Sequence, residues 1–124
     1  MSSEKILVVD DNVDAADMTS FLLQAYGFNV EVAYGGHEAL VAARAFHPYI
    51  IFLDIGMPLI DGYDVARTLR ADVDCCGIRL VALTAWGDEA SQIKVKAAGF
   101  DLHLVKPARI MDLVDAASYG RPRP

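Results

Sequence analysis

Five short apolar runs punctuate this chain, and after each lies a longer stretch whose apolar residues return at helical spacing. The runs are Ile6–Val9, Val30–Ala33, Tyr49–Leu53, Leu80–Leu83 and Leu102–Val105. Each is only four or five residues long and rich in Val, Ile and Leu, which favours strand over helix. Several are apolar at every position rather than alternately, as in strands covered on both faces. The first helical stretch places Met18, Phe21, Leu22 and Ala25 on one face and stops at Gly27. The second runs from about Gly36 to Phe46, with Ala39, Ala43 and Phe46 inward and Pro48 ending it. The third opens at Asp61, a good N-cap, and buries Gly62, Val65, Ala66 and Leu69. The fourth opens at Asp88, carries Glu89 in its first turn and closes at Gly99. Its apolar face (Ala90, Ile93, Ala97) is thin, so it is expected to be the most loosely packed. The fifth carries Ile110, Leu113, Val114 and Ala117. Strict alternation predicts an α/β fold: parallel strands, right-handed crossovers, and a doubly wound open sheet sandwiched by helices.

The 124 residues suit one domain, and 54% hydrophobic content with 23% charge argues against disorder. No apolar run approaches the roughly 18 residues of a membrane span. With 11 basic against 17 acidic residues, non-specific nucleic-acid binding is not expected. The opening Met1–Lys5 leads straight into a strand run, so a secretory leader is not expected and a cytoplasmic location is. Cys75 and Cys76 are adjacent, poor partners for each other, and read as free thiols. The final Gly-Arg-Pro-Arg-Pro, residues 120–124, reads as a linker or tail after a domain spanning 5–119.

In open parallel sheets, ligands bind beyond the carboxyl ends of the strands, beside the point where strand order reverses. Polar groups follow four of the five runs there: Asp10-Asp11-Asn12, Asp54, Thr84, and Lys106-Pro107. Taken singly, each has an ordinary explanation: a helix cap, a turn, a local hydrogen bond, a solvated lysine. All four at one sheet edge are far less ordinary. Three carboxylates gathered there repel one another, and a divalent cation resolves the repulsion. Hard oxygen donors suit Mg²⁺, which binds through one or two carboxylates plus phosphate oxygens. Mg²⁺ and the Lys106 ammonium then balance Asp10, Asp11 and Asp54, leaving a neutral site able to accept a phosphoryl group.

The set Val8-Val9-Asp10-Asp11-Asn12, Leu53-Asp54-Ile55-Gly56-Met57-Pro58, Asp61-Gly62, Leu83-Thr84-Ala85 and Val105-Lys106-Pro107 resembles the receiver domains of bacterial response regulators. The resemblance spans about residues 5–117. It implies a flavodoxin-like sheet of order 2-1-3-4-5 and a phosphoacceptor signalling switch. Asp54 would take a phosphoryl group from a phosphohistidine. Asp11 and Asp54 would hold Mg²⁺ directly, Asp10 through water, and Gly56 through its carbonyl. Lys106 would pair with Asp54 and then with the phosphoryl oxygens, Thr84 would turn toward them, and the bond before Pro107 would be cis. The implied partners are a histidine kinase, or the chain's own kinase core, and a histidine phosphotransfer protein. A phosphorylation-dependent dimer through the fourth helix, fifth strand and fifth helix is also implied. Neither nucleic acid nor membrane is an expected direct partner. Such a domain catalyses only its own phosphorylation and dephosphorylation.

Four positions depart from the family. His103 stands where the family usually has the Tyr or Phe that moves with the switch threonine. Trp86 and Gly56 flank the site, one bulky and one bare. Ala108 follows Lys-Pro where winged-helix transcription factors typically have an aromatic, and the stretch Ala98–Pro107 looks more like receivers of hybrid sensor kinases. Rival readings are weaker. An FMN phosphate would be repelled by Asp10-Asp11-Asn12-Val13-Asp14, and an aspartyl phosphohydrolase usually has a second Asp where Gly56 stands. An unphosphorylated adaptor on the same fold is the remaining alternative.

Overall fold

The computed structural model describes residues 4–57 and 59–119. The reading of the tail, and Pro58 of the motif, lie outside the described residues. Five strands alternate with five helices: β1 (Lys5–Val9), α1 (Val13–Ala25), β2 (Asn29–Ala33), α2 (Gly36–Phe46), β3 (Ile50–Asp54), α3 (Gly62–Ala71), β4 (Arg79–Thr84), α4 (Glu89–Ala98), β5 (Leu102–Val105) and α5 (Ile110–Tyr119). The strands are parallel, in the order β2-β1-β3-β4-β5. The chain therefore steps outward from β1 to β2, then returns across β1 to build the other half. That reversal opens a crevice between the carboxyl ends of β1 and β3.

Alternate residues of the central strands feed two apolar layers. Leu7, Val9, Ile51, Leu53 and Ala82 meet Ala39 and Ala43 of α2, Val65 and Leu69 of α3, and Val95 of α4. Ile6, Val8, Ile50, Phe52 and Leu83 meet Ala16 and Leu23 of α1 and Leu113 and Ala117 of α5. β3 is buried throughout, as an unbroken apolar run requires, whereas the edge strands β2 and β5 are only partly covered. The expectation of two-sided burial therefore holds for the centre of the sheet and fails at its edges, where no neighbouring strand extends the layers.

Two helix faces differ from the periodicity reading. α1 turns Ala16, Ser20 and Leu23 to the sheet. Met18 is 59% and Phe21 68% exposed. Helix and sheet approach closely here, and small side chains permit it; the Ser20 hydroxyl accepts a hydrogen bond from Gln24 Nε2 at 3.0 Å, which makes its burial tolerable. In α4 the buried residues are Val95 and Ala98, while Ala90, Ile93 and Ala97 face outward. The expected loose packing holds, since α1, α2 and α3 each bury at least three residues and α4 two.

The helix boundaries follow their caps. Asn12, Asp61 and Asp88 each accept a hydrogen bond from the backbone N–H three residues on. Gly27 (φ 94°) and Gly99 (φ 105°) take the left-handed conformation after α1 and α4. α2 ends instead on His47 (φ 54°), immediately before Pro48. Cys75 is buried, Cys76 is exposed, and both are free.

Candidate functional site

Asp10 leaves β1, and its backbone N–H donates to the Ala33 carbonyl at 3.1 Å, which fixes the first turn of the loop. Its Oδ1 accepts from Asn12 N–H at 3.0 Å. Asp11 is exposed beside it. Asp54 is the last residue of β3 rather than the first beyond it, and Thr84 likewise closes β4. Both are buried, at 6% and 4% exposure. Gly62, opening α3, packs on the Asp54 peptide: a Cβ there would lie 2.7 Å from the Asp54 carbonyl oxygen. The strand end carrying Asp54 is thus held by a contact that only glycine allows. The Lys106–Pro107 bond is cis, as the resemblance implied.

Carboxylate oxygens of Asp10, Asp11 and Asp54 lie within 4.8 Å of one another. Lys106 Nζ reaches two of the three, Asp54 Oδ1 at 3.1 Å and Asp10 Oδ2 at 3.4 Å. The Gly56 N–H also donates to Asp54 Oδ1, at 3.2 Å. One ammonium against three carboxylates leaves net negative charge in a partly desolvated cleft. An all-oxygen donor set of this charge and spacing fits a hard divalent cation. Burial pushes the Asp54 carboxyl above its ordinary value; the Lys106 hydrogen bond and charge oppose this, and the Asp10 charge adds to it. Burial of Lys106 works against its charge, but Asp54 and then Asp10 outweigh it and hold the ammonium above its ordinary value. Thr84 Oγ1 accepts from the Trp86 N–H at 3.1 Å, so its hydroxyl is engaged with its own loop.

A cleft of about 590 Å³ opens beside these groups. Asp54, Gly56, Thr84 and Lys106 line it, together with Tyr63 of α3, Trp86, and Ser91 and Lys94 of α4. The sequence reading missed Tyr63, Ser91 and Lys94. They lie inside helices rather than at strand ends, and no spacing rule points to them. His103 lies further from this cleft, on β5 opposite Ala82 of β4. It lines a separate hollow with Gln92, Val95 and Lys96 of α4, together with Phe100, Asp101 and Leu102. Its Nε2 is buried without a hydrogen-bond partner among the described residues.

The family profile described as "Response regulator receiver domain" matches residues 6–118. Among curated proteins, the chain is 37% identical over 111 residues to "DNA-binding response regulator MtrA" of Mycobacterium leprae (strain TN), covering 90% of this chain and 48% of that protein. It is 38% identical over 107 residues to "Probable transcriptional regulator ycf27" of Cyanophora paradoxa, covering 86% and 44%. The chain thus spans about half the length of the curated relatives it matches. Chemotaxis protein CheY4 of Vibrio cholerae superposes with a TM-score of 0.91 at 28% identity, over 97% of this chain and 100% of that one. The signal receiver domain of a signal transduction histidine kinase from Syntrophus aciditrophicus gives 0.87 at 26% identity, over 95% and 89%.

Proposed function

This chain belongs to the receiver-domain family of response regulators, and from that membership we propose that Asp54 is the phosphoacceptor of a signalling switch spanning residues 5–119, with 120–124 a linker or tail. The observation that carries the proposal is the Lys106 ammonium bridging Asp54 and Asp10 beside a third carboxylate. In this reading an Asp54 carboxylate oxygen attacks phosphorus in line with the departing group. Lys106 follows the charge from the carboxylates to the phosphoryl oxygens. Thr84 gives up its contact with the Trp86 N–H and turns its hydroxyl to the same oxygens. Transfer of about −1.5 to −2 charge into the cleft makes both movements favourable.

Asp11, Asp54 and the Gly56 carbonyl are the groups that would hold Mg²⁺, with Asp10 contributing through water. The ion would supply the positive charge that lets a phosphoryl group approach three carboxylates.

The donor is a phosphohistidine on a histidine kinase, either a separate protein or a kinase core in the same polypeptide, and a histidine phosphotransfer protein can exchange with it. Two features support a phosphorelay setting: Ala108 after Lys-Pro, and the likeness to a receiver taken from a histidine kinase. The chain acts catalytically only on itself, in the cytoplasm; no helix among the described residues is long and apolar enough to cross a membrane. Phosphorylation favours pairing of two copies through α4, β5 and α5, where Ile93 and Val105 are 62% and 46% exposed.

Intact-mass spectrometry after incubation with Mg²⁺ and acetyl phosphate or phosphoramidate tests the reading. One added phosphoryl group, absent from Asp54→Asn, is expected. No adduct from either donor would replace it with the unphosphorylated adaptor.

A further inference from the structure

α4 is held firmly at one end only. Its two buried residues, Val95 and Ala98, lie in its second half. None of residues 89–94 is buried, and the leader 85–88 is exposed throughout and includes Gly87. The far end is clasped by Arg70 of α3. Its Nε donates to the Gly99 carbonyl at 2.8 Å, and its terminal nitrogens donate to the Ile78 carbonyl at 2.6 Å and to Asp101 Oδ2 at 2.8 Å. The same Asp101 oxygen accepts from the Leu80 N–H at 2.9 Å. Gly99 also has no room for a side chain, since a Cβ there would lie 2.8 Å from Arg70 Cγ. Charge-assisted bonds thus tie the end of α4 to α3, to β4 and to the approach to β5. The near end has nothing comparable. Asp88 caps the helix and Gln92 Nε2 donates to the Gly87 carbonyl at 2.9 Å, but these bonds tie α4 only to its own leader. Among the described residues, one ring contact joins this half to another helix: Lys94 Nζ lies 4.9 Å from the centre of the Tyr63 ring of α3. The same half lines the cleft beside Asp54, through Ala90, Ser91 and Lys94.

We propose that the first half of α4 is a lid on that cleft, hinged where Arg70 clasps Gly99 and latched by Lys94 on Tyr63. A segment with no buried residue and one exposed ring contact opens at far lower free energy than the whole fold. The clasp keeps the last turn in place, so opening stops short of Val95 and Ala98. The latch is an ammonium over an aromatic face, strong enough to bias the lid shut and weak enough to release it. Opening widens the mouth of a cleft of about 590 Å³ beside Asp54. On the phosphoacceptor reading, the lid then sets how readily water reaches a phosphoryl group on Asp54. Hinge and latch themselves stand without that reading.

Amide hydrogen exchange of the unphosphorylated chain, followed by NMR through a series of low urea concentrations, tests the lid. A ten-residue helix lifted from its support does not keep its own hydrogen bonds, so opening is read as exchange. In the parent, Gln92, Ile93 and Lys94 are expected to exchange at one common opening that urea leaves unchanged. Gly99 and Phe100 should exchange only with global unfolding, and so accelerate with urea. Lys94→Met should speed exchange of the first group about two- to fivefold, the range of one exposed ammonium–ring contact. Lys96→Met makes the same chemical change on the same helix, at a residue lining the His103 hollow, and should leave that group unchanged. Arg70→Met should bring Gly99 and Phe100 into the urea-independent opening. Arg44→Met, which removes the 2.8 Å pair with Asp72, should not. Exchange of residues 92–94 with the same urea dependence as Gly99 overturns the lid, as does graded fraying that ignores Lys94. An Arg70→Met chain that keeps Gly99 protected to global unfolding overturns the hinge. If that variant does not fold, the parent and Lys94→Met measurements still decide for or against the lid. None of these results depends on whether Asp54 takes a phosphoryl group.

Discussion

Asp54 occupies its buried place in the site at a cost to the fold. Its carboxyl lies above the ordinary 3.8 in the folded chain, chiefly because burial disfavours its charge. A raised carboxyl binds its proton more tightly folded than unfolded. The penalty is therefore absent below about pH 3.8, grows as pH rises above it, and is complete once pH passes the folded value. Asp54→Asn should accordingly melt higher than the parent at pH 7 and lose that advantage as the pH falls through the raised folded value toward 3.8; an Asn variant that melts lower at pH 7 would contradict the assigned cause. Lys106 works in the opposite sense. Raised from 10.5, it stabilises the fold fully below that pH and loses the contribution only as pH climbs through the higher folded value. His103 is a second residue under tension. A buried nitrogen without a partner costs about 1–3 kcal/mol, so His103→Phe should raise stability by about 1 kcal/mol in urea denaturation. Nothing in the sequence shows that cost, because the burial of the nitrogen is set by tertiary packing.

Elements differ in how openly their sequences declare a face. α3 is sharply amphipathic, and the residues its spacing marks as inward, Gly62, Val65, Ala66 and Leu69, are the ones it buries. α1 is apolar on more than one side, so periodicity could not choose between Met18-Phe21-Leu22-Ala25 and Ala16-Ser20-Leu23. The close approach of helix to sheet chose the smaller set. Phe21→Ser should therefore change stability by no more than about 0.5 kcal/mol, while Leu23→Ala costs about 2–5 kcal/mol. Equal losses in the two variants would reverse the orientation described for this helix. α3 also has a positional duty, since Gly62 lets its first turn sit against the Asp54 peptide. Gly62→Ala should cost about 1–3 kcal/mol by overpacking and, on the proposed function, slow phosphorylation as well, because the backbone that must shift carries Asp54.

At the scale of the whole molecule, the site exists only because the sheet gathers three loops. Asp10 and Asp11 follow β1, Asp54 ends β3, and Lys106 follows β5, four strands of one sheet order away from the β2 edge. A cation bound there links these loops and stabilises the fold by mass action. At tenfold excess over its dissociation constant, Mg²⁺ should add about 1.4 kcal/mol, a rise in melting temperature of about 4–10 °C for a domain of this size. Asp11→Ala, at an exposed position that leaves the core intact, should abolish the rise. Trp86, 70% exposed on the cleft wall, supplies an independent readout, its emission changing with Mg²⁺ in the parent and not in Asp11→Ala. A melting temperature indifferent to Mg²⁺ would remove the cation from the site.

The order of strands and helices, the central core and the carboxylates, threonine and lysine of the site could all be read from the sequence. Apolar period and strand-end polarity are local patterns, and alternation leaves few topologies open to them. Tertiary structure decided what local pattern leaves degenerate. It set which side of α1 and α4 is inward, because that depends on how closely a neighbour approaches. It let edge strands surface, because burial there needs a further strand. It brought Tyr63 and Lys94 together across the gap between α3 and α4, because a contact between helices separated by a strand has no signature in the spacing of either one.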